Sequence, residues 1–368
     1  MNILLLSCST GEGHNHCAQA VEQALLRRGH RTNFVDLLRL GGEPGALSFD
    51  RVLNGISSRT PEVFGMMYRA GQAYSSTGVT SPVYLANIRR ARLLADHIWE
   101  NRYDAVVCSH LFPMETLTHL RRHENCPARC YGILSDYACI PFLPETELDG
   151  YFLPHKEVLR ECAEAGMPEE KLAVTGMPVA EAFTVPMEKQ AAREALGLPQ
   201  DRKIYLVMTG GVGCGDAVSL CRALRRVPDD GSLILVMPGR NDELREAVDR
   251  EMAGQDVVTI PFTDQVAAYM HAADVLLSKA GGISSSEAAA AGVPLVHTMA
   301  IPGVETLNAQ FFMRHGLSLF AENLDEAAHF ADRLVYDGAL RDKMLRAQAA
   351  WPRDGAERIA EHIERAAV

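Results

Sequence analysis

Short apolar runs alternate with longer amphipathic segments along most of the chain. In the first half the apolar runs fall at residues 3–7, 32–36, 104–109, 130–134 and 150–153. Runs this short and this uniformly apolar read as strands covered on both faces, the pattern of βαβ units and a parallel sheet. Between the first two runs, Ala20, Val21, Ala24 and Leu25 recur at three- and four-residue spacings. That predicts a helix over 18–28, closed by Gly29. A polar stretch bracketed by Pro178, Pro186 and Pro199 interrupts the pattern, which restarts with runs at 203–209, 232–237, 257–260, 274–277 and 294–297. The stretch 340–368 is helical in pattern and carries no further strand. The economical architecture is two doubly wound α/β halves joined near 180–200. Ligands of such sheets gather at the carboxyl ends of the strands, so the motifs there are expected to face a cleft between the halves.

Composition narrows the function. The chain has 368 residues, 47% hydrophobic and 23% charged, enough for two packed cores at roughly 100–200 residues per domain. Thirty-six basic against 47 acidic residues leave a net charge of −11, which excludes sequence-independent nucleic-acid binding. The opening MNILLLSCST lacks a basic region and a cleavage site, so no secretory signal is expected. No apolar run approaches the roughly 18 residues of a membrane span. The nine cysteines contain no C-x-x-C pair, and Cys126 and Cys130 have no matching pair for zinc, so free thiols and no metal are expected.

Charge is uneven. Residues 63–95 contain no Asp or Glu but four arginines, Arg69, Arg89, Arg90 and Arg92, together with Phe64, Met66, Met67, Tyr68, Tyr74 and Tyr84. Over 51–130, ten Arg and no Lys against six acids leave +4 within the acidic chain. Such a window suits an anionic or interfacial partner, or else is a helical pair with solvated arginines.

Four constellations follow strands. Gly11 and Gly13, in Ser9–His14, permit a tight turn, but His16 stands where a dinucleotide fingerprint needs its third glycine, which argues against NAD. His14 in that turn is a general base, a helix cap or a substrate contact. Gly210 and Gly211 open a glycine-rich run over 209–215 suited to an anion at a helix start. It lacks the G-K-[ST] of a P-loop, which argues against ATP hydrolysis. Gly281, Gly282, Ser284, Ser285 and Glu287 precede an alanine-rich segment. There the carboxylate can take vicinal hydroxyls, as a ribose offers, or complete an S-x-x-E cap. Glu305 and Asn308 are three apart and share a face if a helix starts there.

In this order the motifs resemble those of monogalactosyldiacylglycerol synthases and processive diacylglycerol glucosyltransferases. STGEGHNHCAQAV is similar to that family's S-x-G-x-G-H opening, KAGGISSSEAAAAGVPLV to its K-P-G-G-x-T-x-x-E segment, and IPGVETLNAQFF to its P-G-Q-E-x-x-N. The resemblance covers nearly the whole chain. It implies a GT-B fold of two Rossmann-like parallel-sheet domains over 1–185 and 186–345, with 346–368 crossing back to the first. It implies an inverting, metal-independent hexosyltransferase without a cofactor, using UDP-glucose, UDP-galactose or UDP-N-acetylglucosamine. Diacylglycerol or a related lipid would be the acceptor, reached from the cytoplasmic side at an anionic membrane surface. His14 would be the base and Asp136 would face the acceptor. Phe262 and Thr263 would hold uracil, Glu287 the ribose, and Gly210, Gly211, Gly281, Gly282, Ser284 and Ser285 the diphosphate. Glu305 and Asn308 would touch the sugar. Phe64, Tyr68, Arg69, Tyr84, Arg89 and Arg90 would meet membrane or acceptor. Two departures, Val304 in P-G-V-E and Ile140 with Phe142 after Asp136, leave the hexose and the exact lipid open. The alternatives are a UDP-N-acetylglucosamine 2-epimerase-like enzyme and a UDP-sugar-binding regulator.

Overall fold

The computed structural model describes residues 1–8, 12–40, 61–124, 126–211, 213, 215–227, 231–300 and 302–367. The chain divides into two compact units. One is Met1–Ala180 with Pro302–Val304 and Pro352–Val368; the other is Glu181–Ile301 with Glu305–Trp351.

The first unit runs β1 (Asn2–Ser7), α1 (Glu12–Arg27), β2 (Arg31–Asp36), α2 (Pro61–Ser75), α3 (Pro82–Asn87), α4 (Ala91–Asn101), β3 (Ala105–Cys108), α5 (Leu111–His123), β4 (Arg129–Ile133), β5 (Gly150–Leu153), α6 (Lys156–Glu164) and β6 (Leu172–Val174). Its strands form one parallel sheet in the order β2-β1-β3-β4-β5-β6. The strand interiors are apolar because helices cover both faces: Ile3 to Leu6 and Ala105 to Cys108 have no exposed surface. The order reverses between β1 and β3, so the loops after those two strands part to opposite sides and leave a crevice at their carboxyl ends.

The second unit contains α7 (Glu181–Thr184), α8 (Lys189–Ala195), β7 (Ile204–Met208), α9 (Ala217–Arg226), β8 (Leu233–Met237), α10 (Asp242–Glu251), β9 (Val257–Thr259), α11 (Val266–Ala272), β10 (Val275–Lys279), α12 (Gly282–Ala291), β11 (Leu295–Met299), α13 (Val304–Arg314), β12 (Leu319–Phe320), α14 (Leu324–Tyr336) and α15 (Gly338–Ala349). Its parallel sheet has the order β12-β11-β10-β7-β8-β9, with the reversal between β7 and β10.

All ten strands expected from the apolar runs are present, and both sheets are parallel and doubly wound. Two strands had no apolar run to announce them. β6 and β12 are three and two residues long and sit at sheet edges, where pairing on one side needs little sequence. α1 starts at Glu12 rather than 18, because its first turn is polar and glycine-rich. That places His14 inside the helix start instead of before it.

The expected terminal helix is two. α15 ends at Ala349, Pro352 follows the break, and α16 (Gly355–Ala367) belongs to the first unit. α16 lies on α1, burying Ile359, Ala360 and Ile363. Each of the two isoleucines contributes about 1.5–3 kcal/mol. Arg27 pairs with Glu357 at 2.6 Å, and Arg28 and His30 reach Glu364 at 2.7 and 2.8 Å.

Candidate active site

In the first unit the crevice at the β1/β3 reversal is built around His14. The α1 start carries the imidazole to the loop after β3, where Nδ1 lies 2.8 Å from the Ser109 carbonyl oxygen. A carbonyl only accepts, so Nδ1 donates and the lone pair of the neutral ring sits on Nε2. The Ser109 hydroxyl returns a bond to the His14 carbonyl at 2.8 Å, and Ser135 Oγ lies 3.1 Å from Nδ1. The ring is thus held from two strand ends.

His110 stands against it, ring centroids 4.5 Å apart and planes at 83°. Its Nδ1 accepts from the Phe112 amide at 3.1 Å, capping α5. Burial first, then the neighbouring His14, holds His110 well below the usual imidazole range, so it stays neutral beside His14. His14, Ser109, His110, Ser135, Asp136 and Ile140 line one small cavity, which brings the two expected catalytic residues together. Tyr68 reaches the same neighbourhood. Its buried hydroxyl has no hydrogen-bond partner, and burial followed by the nearby Asp136 carboxylate pushes its pKa up.

The second unit gathers its motifs at the β7/β10 reversal. Gly210 (φ +78°) turns the chain directly beneath the Lys279 side chain, and an added Cβ would sit 2.7 Å from Lys279 Cε. Lys279 pairs with the buried Glu305 carboxylate. Lysine was not among the expected site residues, although the KAGG string contains it; only the fold shows it crossing from the glycine turn to α13. The next loop locks the turn, with the Arg240 amide donating to Gly211 O and Asn241 Nδ2 to Gly213 O, both at 2.9 Å.

The two helix starts differ. α9, after the glycine run, is capped by Asp216, whose carboxylate accepts from the Ser219 amide. A carboxylate there competes with an anion, so the glycine run does not present an open helix start. α12 has Gly281 as its N-cap and no side-chain cap, which leaves its positive end as the better anion subsite. The S-x-x-E cap is not formed, since Ser284 lies within the helix. Gly282 and Glu287 are buried, and Ser284 is half-buried.

Three expected contacts are turned inward. Ser285 Oγ lies 2.9 Å from His297 Nε2 in the core, and its amide donates to Gly281 O, so both polar groups are committed within the fold. Asn308 is fully buried and donates to Ala280 O at 3.2 Å, tying α13 to the loop after β10. Tyr84, on α3, is buried against α5, 3.4 Å from His119 Nδ1, rather than at a surface. All three side chains are buried rather than open to solvent.

The remaining positions are open. Phe262 is 52% exposed with the Arg240 guanidinium 3.8 Å from its ring centroid, and the Thr263 hydroxyl accepts from the Gln265 amide. Arg69 and Arg89 are exposed and Arg90 half-buried, among exposed Met66, Met67, Val79 and Leu85. Gly13 is half-buried in the first turn of α1. Gly11 and the Phe64 side chain lie outside the described residues.

Two family models divide the chain. Residues 14–179 match the monogalactosyldiacylglycerol (MGDG) synthase model and 188–351 match glycosyl transferases group 1. The chain belongs to the glycosyltransferases. A processive diacylglycerol beta-glucosyltransferase of Bacillus thuringiensis (strain Al Hakam) is 24% identical over 98% of this chain and 92% of its own. Among solved structures, MurG of Acinetobacter baumannii superposes with a TM-score of 0.63 at 15% identity over 99% of both chains. MnaA of S. aureus, solved with UDP, gives 0.66 at 14% identity over 100% and 96%. These place the glycosyltransferase in the GT-B fold, and the site residues above fall in both matched regions.

Proposed function

We propose that this glycosyltransferase moves a hexose from a UDP-sugar to diacylglycerol or a related membrane lipid, with inversion and without a metal ion. The observation that carries the reading is His14, fixed by the Ser109 carbonyl with its lone pair on Nε2, in a cavity it shares with Asp136. In this reading Nε2 takes the proton of the acceptor hydroxyl as that oxygen attacks the anomeric carbon, and the bond to UDP breaks. In the same reading Asp136 stabilises the imidazolium that results, and the Tyr68 hydroxyl, which has no hydrogen-bond partner, orients the acceptor. Negative charge gathering on UDP meets the α12 N-terminus and Lys279, which do the work a cation does elsewhere.

The names of the relatives supply the lipid class. Among the described residues no helix is long and apolar enough to cross a membrane. Arg69, Arg89 and Arg90 beside exposed Met66, Met67 and Leu85 suit peripheral attachment to the anionic cytoplasmic leaflet. Pelleting with anionic vesicles that neither salt nor lipid charge alters would overturn that attachment.

The test of the activity is incubation with diacylglycerol vesicles and UDP-glucose, UDP-galactose or UDP-N-acetylglucosamine, with and without EDTA. Glycolipid and UDP release, unaffected by the chelator, are expected with at least one donor. No product with any donor would sink the reading, and an epimerised donor without lipid would replace it by an epimerase.

A further inference from the structure

Cys126 and Cys130 flank the turn that enters β4, at the opposite end of the sheet from His14 and Asp136. Their sulfurs are 3.9 Å apart, and both point at the Ala128 carbonyl, at 3.7 and 3.5 Å. The two sides of the pair differ. Cys130 is fully buried at the start of β4, its amide donating to Asp149 at 2.7 Å, whereas Cys126 is only partly covered. Arg121 stands over the pair, held by Asp149 at 2.6 Å. We propose that Cys126 and Cys130 are a redox-active dithiol, a modification site that closes to an intramolecular disulfide on reaction with a low-molecular-weight disulfide.

The geometry divides the roles. Cys126 is the attacking sulfur because it is the reachable one, and it has two stabilisers for its thiolate. The Cys130 S–H donates to it and the Arg121 guanidinium lies nearby, which bring its pKa down to about 7. The same hydrogen bond, with burial, pushes Cys130 up. The Cys126 thiolate attacks one sulfur of the external disulfide RSSR, forming a mixed disulfide and expelling one thiolate. That thiolate accepts the Cys130 proton, and the Cys130 sulfur then attacks Cys126 and expels the second. The protein loses two electrons and two protons, and RSSR becomes two RSH. A sulfur already in van der Waals contact with its target makes the second step fast relative to release of the mixed disulfide. No part of this depends on the sugar-transfer reading.

The test treats the native, full-length protein with oxidised glutathione, followed by acid quench, alkylation of remaining thiols and peptide mass spectrometry. The expected product is a Cys126–Cys130 peptide lighter by two hydrogens and refractory to alkylation until reduced. In Cys130→Ala, which removes both the resolving sulfur and the donor, the glutathione adduct should instead persist on Cys126, and the pH midpoint of its alkylation should rise by about one unit or more. A stable glutathione adduct on Cys126 of the wild type, or full alkylation of both sulfurs after oxidant, would overturn the proposal. So would an alkylation midpoint unchanged in Cys130→Ala.

Discussion

Glu115 lies in the middle of α5 with 0% of its surface exposed. Its Oε2 accepts from Asn87 Nδ2 on α3, and its Oε1 has no hydrogen-bond partner. Burial drives its pKa from 4.5 to about 9, with the Asn87 amide pulling against the shift and Glu145 adding to it. Folding therefore holds a proton that the unfolded chain has given up throughout the window between those values. The contribution to stability is greatest below pH 4.5 and falls as pH rises, by about 1.4 kcal/mol per unit. From pH 6 to pH 8 the first unit should lose about 3 kcal/mol through this one side chain. Glu115→Gln keeps the volume and the acceptor for Asn87 but cannot titrate, so it should remove that slope. The assay is urea unfolding at pH 6, 7 and 8 in a Trp351→Phe background. Of the two tryptophans, only Trp99 of the first unit then reports. Equal pH slopes in the two proteins would refute the reasoning, since no other change was made to the titrating set.

The second unit should show the opposite dependence. His297 is fully buried between Ser285 and Ser318, and burial lowers its pKa from 6.5 to about 3. Below pH 6.5 the unfolded chain binds the proton first, so stability should fall by about 1.4 kcal/mol per unit on acidification. In His297→Asn that slope should vanish, as followed by urea midpoints at pH 6, 5 and 4. His14→Ala should lower turnover by about 10²–10⁴-fold while leaving UDP affinity by calorimetry unchanged. Gly210→Ala forces a Cβ at positive φ against Lys279. It should cost about 1–2 kcal/mol by urea unfolding and weaken UDP binding in the same titration. Unchanged UDP affinity there would remove Lys279 from the donor subsite.

The legible part of the site was the part written in consecutive residues. His14 belongs to a glycine-containing string after an apolar run, and Asp136 follows another such run. Their partners were hidden, because Ser109 is 95 residues and Ser135 is 121 residues from His14 in sequence. Only the order β1-β3-β4 makes them neighbours. Lys279 was visible as a letter but not as a group that crosses to Glu305.

The sequence by itself determined two parallel α/β units, because strands covered on both faces must be apolar at every position and such runs survive any tertiary detail. It also placed the motifs at strand ends, since glycine turns and helix starts are local. Tertiary structure alone decided which way the motif side chains face. α12, GISSSEAAAA, is buried nearly all round and has no polar stripe to orient it. The string therefore could not tell that Ser285 turns to His297 while the helix N-terminus carries no side-chain cap. The same holds for Tyr84, placed inside by the packing of α3 on α5, and for Asn308, spent on Ala280. Direction within a packed layer is set by neighbours distant in sequence, and those become neighbours only when the sheet order is fixed.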